Sequence, residues 1–304
     1  MKILILGAGA VGGYFGALLL NKGIDVTFLV REKRALNLRT NGLEVKSPLG
    51  NLKVNPKVIT NLHDDNVFDL AIVSCKAYAL EDAIQTLAPL SPSVYILPLL
   101  NGLSHYPKLK DFFGELRVLG GFAHLSTMLN DDGTIIHLNK LQNLTMGALQ
   151  PEQKPFIEYV KNELGASVPF IAFSDNIRLD IYKKLILIST AASATCFMNN
   201  TMGAIASTPE GAKLIADCFG INCRAAAFAG FEPENEWKEI TRNKLLDPES
   251  PMTSSLLRDM RNGNQVEISI LEDMLEKCRK AGLHNELLTA AQQVLKKYQL
   301  QRKH

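Results

Sequence analysis

Three observations predict an α/β chain of two domains. Strand-length aliphatic runs alternate with helical segments through the first half of the 304 residues, and a glycine-rich turn separates the first run from the first helical segment. From about residue 174 onward only helical patterns remain. Near-continuous apolar strands in such an alternation belong to a parallel sheet covered on both faces. The expected fold is therefore an N-terminal Rossmann-type doubly wound domain over residues 1–172, followed by an all-helical C-terminal domain over residues 173–304. A cleft between two such domains is where a cofactor and a small substrate usually meet.

The elements follow in order. Lys2–Leu6 reads as a strand, Val11–Lys22 as a helix, Asp25–Val30 as a second strand and Arg34–Asn41 as a short helix. Leu43–Lys46 and Asn51–Val54 flank Pro48-Leu49-Gly50, which predicts a small hairpin inserted into the alternation. Leu70–Ser74 reads as a buried strand, Leu80–Leu87 as a helix and Val94–Leu97 as another strand. Strand-like runs continue at Val118–His124, Thr134–Leu138 and Asn143–Met146, with Gly133 marking a turn. In the second domain, Ser174-Asp175 is an N-cap region before Ile177–Met198, a long run without Gly or Pro. Helical patterns follow at Pro209–Ala229, Glu234–Leu245, Ser254–Asn262, Glu267–Ala281 and Glu286–Gln299.

Composition narrows the function classes. Apolar residues make up 46% and charged residues 21%, an ordinary globular balance. A net charge of +2 argues against nucleic acid or a membrane surface as partner. Small anionic ligands would be drawn by local cations. The five cysteines have no CxxC spacing, which predicts free or buried thiols in a reducing cytoplasm. The six histidines show no metal-ligand spacing, so no metal is expected. The uncharged stretch Ile3–Leu20 has the hydropathy of a signal peptide or membrane span. Its five glycines and its division into strand, turn and helix account for it without either.

Gly7-Ala8-Gly9-Ala10-Val11-Gly12 matches G-x-G-x-x-G after a strand and at the opening of a helix. Gly7 permits the tight turn, Gly9 lets backbone approach a pyrophosphate, and Gly12 lets helix and strand pack closely. Free N–H groups and the helix dipole hold the anion. At the end of the second strand an acidic residue would bond a ribose 2′-hydroxyl, whereas a cation would accept a 2′-phosphate. Arg31 stands there, with Lys33 and Arg34 behind it, and Glu32 is the competing carboxylate. The guanidinium fork suits phosphate, so NADP(H) is the expected cofactor.

Three other places could carry chemistry. Lys184 interrupts an apolar helix and either snorkels to the surface or is held for use. Asn101-Gly102 follows a strand, where doubly wound folds bind ligands, and is also the commonest turn pair. Ser255 either caps a helix or binds a carboxylate, and Glu267 twelve residues on could be a plain first-turn acid.

Together these residues resemble the ketopantoate reductase family. The resemblance is carried by GAGAVGGYFG at 7–16, Arg31, Ser74-Cys75-Lys76, Leu100-Asn101-Gly102, Tyr182-Lys183-Lys184-Leu185, Gly203 and Ser255-x3-Asp259-x7-Glu267, in family order. It implies NADPH and a small 2-oxo acid in the interdomain cleft. It also implies roles: Lys184 as general acid toward the C2 oxygen, and Glu267 orienting Lys184 and helping place the cofactor. Asn101 would contact cofactor and substrate, Lys76 would border the cofactor, and Ser255 would bind the substrate carboxylate. A lysine at its ordinary value is amply protonated near neutrality.

The chain departs from the family where asparagines usually follow the lysine by four and eight residues, here Ile188 and Ala192, and at Met202. Those asparagines bind polar substrate groups in the family, and Asn199 and Asn200 stand nearby as replacements. The expected function is NADPH-dependent reduction of 2-dehydropantoate (ketopantoate) to pantoate, in pantothenate biosynthesis. The alternatives are a less polar 2-oxo acid or ketone, and a catalytically silent NADP(H)-binding sensor. A homodimer is compatible with the helical domain but specified by no residue.

Overall fold

The computed structural model of the chain describes residues 1–63 and 67–302. It divides into two compact units: Met1–Leu100 with His105–Ile177, and Asn101–Ser104 with the chain from Arg178 onward. The first unit contains β1 (Lys2–Leu6), α1 (Ala10–Asn21), β2 (Asp25–Leu29), α2 (Glu32–Asn41), β3 (Leu43–Lys46), β4 (Leu52–Val54) and β5 (Lys57–Ile59). It continues with β6 (Leu70–Val73), α3 (Leu80–Leu87), β7 (Tyr95–Pro98), α4 (His105–Phe113), β8 (Gly120–Leu129), β9 (Ile135–Gly147), α5 (Lys154–Leu164) and β10 (Ile171–Phe173).

The first sheet is parallel throughout, in the order β5-β2-β1-β6-β7. All four residues of β6 are buried, as its unbroken LAIV requires. The winding reverses at β1, with β2 on one side and β6 on the other, so the turn after β1 lies at the topological switch point.

The alternation did not predict a second sheet. Its order is β10-β9-β3-β4, with β8 antiparallel to β9. The expected hairpin is present as β3 and β4, but β3 also pairs in parallel with β9. β9 runs without a break through both expected strands, because β8 supplies partners from Gly120↔Gly147 to Leu129↔Ile135 with one irregularity near Leu125. The polar stretch Asn139–Gln142 reads as a loop only while that partner is out of sight. α4 was also unforeseen; Pro107 sits in its first turn, where a missing N–H costs no helix bond.

α1 packs on both sheets, and its glycines explain how. A Cβ at Gly16 would stand 2.7 Å from Ile5 of β1, and one at Gly13 would stand 2.5 Å from Ile135 of β9. Tyr14, between them, approaches His137 Nδ1 at 3.0 Å and donates to Gln142 Oε1 at 3.0 Å, both on β9. The run GAVGGYFG therefore serves packing as well as the turn.

The second unit is helical, with α6 (Ile177–Met198), α7 (Met202–Ala206), α8 (Pro209–Phe228), α9 (Asn235–Leu245), α10 (Ser255–Arg261), α11 (Ser269–Lys280) and α12 (Glu286–Arg302). The chain passes between units at Ile177 rather than at residue 172, because Ile177 packs under Gly120 and Gly147 of the second sheet. α6 is long and apolar enough to cross a bilayer, yet 67% of its most apolar window is buried inside the fold. A helix apolar on every side is at home in a core.

α6 nevertheless carries Ser189, Thr190, Ser193 and Thr195 with almost no exposure. Each hydroxyl donates to the carbonyl four residues earlier, at 2.6, 2.8, 2.7 and 2.7 Å, so none is orphaned. Asn222 of α8 donates to Thr190 Oγ1 at 3.0 Å and accepts from Asn285 Nδ2 at 2.9 Å. Asn285 Oδ1 in turn accepts from Leu288 N at 3.2 Å, capping α12. The buried amide chain thus fixes α6, α8 and α12 together. Asn222→Ala removes the shortest acceptor of the Asn285 amide and the donor to Thr190, and is expected to lower the unfolding free energy by about 2 kcal/mol, read by urea titration.

Candidate active site

The turn after β1 fits a dinucleotide pyrophosphate. Gly7 has φ +87°, a conformation that strains any residue with a Cβ. Its N–H donates to the Leu29 carbonyl at 2.8 Å, holding the turn to the end of β2. A Cβ at Gly9 would meet no atom within 4 Å, so the space outside the turn is open to a ligand. A Cβ at Gly12 would press on the Gly7 carbonyl at 2.9 Å and on Ser74 of the next strand end. The first turn of α1 has no acidic side chain and no side-chain cap. The amides of Ala10, Val11 and Gly12 lie in that first turn, where no intrahelical acceptor exists.

Arg31 and Arg34 separate sharply. The Arg31 side chain is 89% exposed and stands 3.9 Å from Asp82, a weak surface pair that leaves its fork available. Arg34 is committed to the protein. Its Nε and Nη2 donate to the Ala8 carbonyl at 3.2 and 3.0 Å, and Nη2 also reaches the Gly133 carbonyl at 3.0 Å. Nη1 donates to Asn37 Oδ1 at 2.7 Å. Arg34 therefore braces the phosphate turn, a role hidden in the sequence because it depends on the distant Gly133. Glu32 falls in the first turn of α2, exposed, where a carboxylate complements the helix dipole. Lys76 is half-buried at the carboxyl end of β6, opening a 3-10 turn.

The second unit assembles the other candidates. Lys184 lies in α6 and Glu267 in the loop before α11, each only 7% exposed. Burial drives the Lys184 amine down to about 7, and the negative charge of Glu267 opposes that drift. The snorkelling reading is thus overturned, and so is the expectation of an ordinary lysine value: the four-carbon stem keeps its charge inside the unit. Glu267 is delivered by a loop that α12 holds by its carbonyls. Arg302, Tyr298 and Gln299 donate to those of Gly263, Asn264 and Val266 at 2.7, 2.8 and 2.7 Å.

Asn101 is half-buried and clusters with the helical unit, not with the sheet that leads into it. At α10 the helix cap is Ser254, whose Oγ accepts from Leu257 N at 3.1 Å and is hydrogen-bonded to Thr195 Oγ1 at 2.8 Å. Ser255 is relieved of capping. The face of α6 that runs from Lys184 through Ile188 to Ala192 is apolar beyond the lysine. Ala192 and Met202 belong to the apolar core and Ile188 packs on it. Asn199, at φ +49°, accepts from Arg261 Nε at 3.0 Å, and Asn200 Oδ1 accepts from Thr201 N at 2.9 Å. Among the described residues no group of three or more His, Cys, Asp and Glu could hold a metal ion.

A glycine turn receptive to pyrophosphate at a switch point, with a buried lysine–carboxylate pair in a helical unit, marks the class of dinucleotide-dependent oxidoreductases. Two family profiles match: Ketopantoate reductase PanE/ApbA over residues 3–151, and Ketopantoate reductase PanE/ApbA C terminal over residues 176–299. The chain is 32% identical to the uncharacterized oxidoreductase YkpB of Bacillus subtilis (strain 168), covering 99% of this chain and 100% of that one. It is 26% identical to a 2-dehydropantoate 2-reductase of Pyrococcus horikoshii, covering 89% and 88% of the two chains. Among solved structures, D-mandelate dehydrogenase with NADH and anilino(oxo)acetate superposes with TM-score 0.88 at 21% identity, over 100% and 99% of the two chains. The 2-dehydropantoate 2-reductase of Geobacter metallireducens GS-15 gives TM-score 0.87 at 23% identity, over 98% and 99%.

The chain belongs to the ketopantoate reductase family. It is an oxidoreductase acting on CH–OH groups, with a nicotinamide cofactor and a small-molecule substrate.

The lysine value has a consequence for stability. Below about 7 both folded and unfolded chains hold the proton, whereas between about 7 and 10.5 only the unfolded chain does. Stability referable to this amine therefore rises with pH across that window, by up to about 1.4 kcal/mol per pH unit. The difference in unfolding free energy between wild type and Lys184→Met should shift in favour of the wild type from pH 7 to 10, measured by guanidinium titration. A flat difference would mean the amine titrates at its ordinary value.

Proposed function

We propose that the chain reduces a small 2-oxo acid to its 2-hydroxy acid with NADPH, and that 2-dehydropantoate, giving pantoate for pantothenate biosynthesis, is the first candidate substrate. The observation that carries this reading is the buried Lys184 beside Glu267. Burying an amine at a cost to folding has a purpose if its proton is transferred, and none in a silent NADP(H) sensor. Near 7, the amine is a strong enough acid to give its proton and still half-charged to stabilise a developing alkoxide.

The residues divide the work. Gly7, Ala8, Gly9, Ala10, Val11 and Gly12 hold the pyrophosphate, and Arg31 accepts the 2′-phosphate, with Lys76 bordering the cofactor. When bound, the nicotinamide supplies a hydride to C2. Lys184 Nζ gives its proton to the C2 oxygen, Glu267 orients that amine and helps place the cofactor, Asn101 contacts cofactor and substrate, and Ser255 binds the substrate carboxylate. Five free cysteines fit a cytoplasmic enzyme.

A second reading keeps the chemistry and exchanges the substrate for a less polar 2-oxo acid. It is favoured by the apolar face beyond Lys184 and by the commitment of Asn199 and Asn200 elsewhere. A substrate hydroxyl facing Ile188 or Ala192 finds no partner there, which costs about 1–3 kcal/mol. The D-mandelate dehydrogenase held anilino(oxo)acetate, a ligand with an aromatic ring, on a similar fold.

Loss of NADPH absorbance, followed with 2-dehydropantoate and with aliphatic and aromatic 2-oxo acids, separates the two readings by which substrate turns over faster. Lys184→Ala is expected to lower kcat by about 100-fold or more while NADPH still binds. Reduction needs the protonated amine, so kcat/KM should be level below about pH 7 and fall above it. Arg31→Ala should raise the KM for NADPH about tenfold or more and leave that for NADH unchanged. NADH preferred by the wild type would overturn the cofactor assignment.

A further inference from the structure

We propose that Asp273 is a positioning residue that sets where Asn101 stands, and through it governs cofactor binding and turnover. Asp273 lies on α11, 7% exposed. Its Oδ2 accepts the backbone N–H of Leu103 at 2.5 Å and that of Ser104 at 3.1 Å. Both amides and the carboxylate that accepts them belong to the helical unit, although they stand 170 residues apart in sequence.

The loop is shaped to receive it. Gly102 has φ +87°, and a Cβ there would run into Asp273 Oδ2. Leu100 and His105 belong to the sheet-containing unit, yet the four residues between them cluster with the helices. Asp273 is the side chain of the helical unit that grips this excursion by its amides. α11 begins two residues after Glu267, so one helix start fixes both Glu267 and the loop bearing Asn101. Burial holds the Asp273 carboxyl above its ordinary range, against the pull of the two amide bonds. A carboxylate so placed is costly to bury, and an acceptor with two N–H partners is what offsets the cost.

The proposal rests on the reading of Asn101 as a contact to cofactor and substrate. The test is a double-mutant cycle of Asp273→Ala and Asn101→Ala, read by NADPH dissociation constant from fluorescence and by kcat and KM. Asp273→Ala is expected to weaken NADPH binding and lower kcat/KM about tenfold. Asp273→Asn, which keeps an acceptor oxygen, should recover most of both. In the Asn101→Ala background, Asp273→Ala should have little further effect.

Effects that multiply in the double variant, or an Asp273→Ala variant that loses thermal stability with binding and kinetics unchanged, would overturn the proposal. Asn101→Ala without effect on either readout would refute the role of Asn101 and the proposal with it. Should the wild type bind NADPH but turn over no 2-oxo acid, the substrate reading fails, while the binding cycle still decides the role of Asp273.

Discussion

An amine buried in an apolar helix is the constraint from which the helical unit can be understood. Lys184 would gain several hydrogen bonds to water if α6 rotated or frayed. The unit opposes this by tying α6 to its neighbours. Its hydroxyls are turned back onto its own carbonyls, and the Asn222–Asn285 amide chain fixes α8 and α12 to it. Glu267 is then needed at a definite place, and three side chains near the end of α12 hold the carbonyls of its loop. The architecture is less a scaffold with a lysine added than a set of restraints that a buried lysine demands.

Much of the fold was legible because its signals are local. The turn at Gly7–Gly12, the buried run Leu70–Val73 and the unbroken Ile177–Met198 each carry their own period and punctuation. What was hidden depends on partners distant in sequence. β9 reads as two strands with a polar gap until β8 is laid beside it. Gly13 reads as one more glycine in a motif until Ile135 of the second sheet appears across from it. Parallel pairings such as β3 with β9 leave no trace in either segment alone.

The candidate site divides along the same line. Arg31 stood out by its place after the second strand, whereas Lys184 and Glu267 read as ordinary residues until the resemblance to the family singled them out. Their states were not legible even then: nothing in YKKLILI distinguishes an exposed amine from one held near 7 by burial. Neighbours in sequence exchanged roles. Arg34 braces the turn while Arg31 is exposed in a weak pair with Asp82, and Ser254 caps α10 while Ser255 does not. Asp273 had no motif at all, since its meaning lies in two backbone amides of a loop that precedes it by 170 positions.

One helix face of α6 carries both a buried charge and apolar positions with no polar duty. Lys184, Ile188 and Ala192 follow one another by single turns, so the lysine and the next two positions along the face share one surface. Lys184 is held by the charge of Glu267, which opposes the loss of its proton. Ile188 and Ala192 carry no such obligation. They pack on or within the apolar core, and exchanging an amide for a hydrocarbon there removes a hydrogen-bonding group without leaving a buried polar atom unpaired in the free protein. The fold therefore tolerates that exchange at little cost. Residues at such positions can change without unfolding the unit, so membership of a family is weak ground for a substrate name.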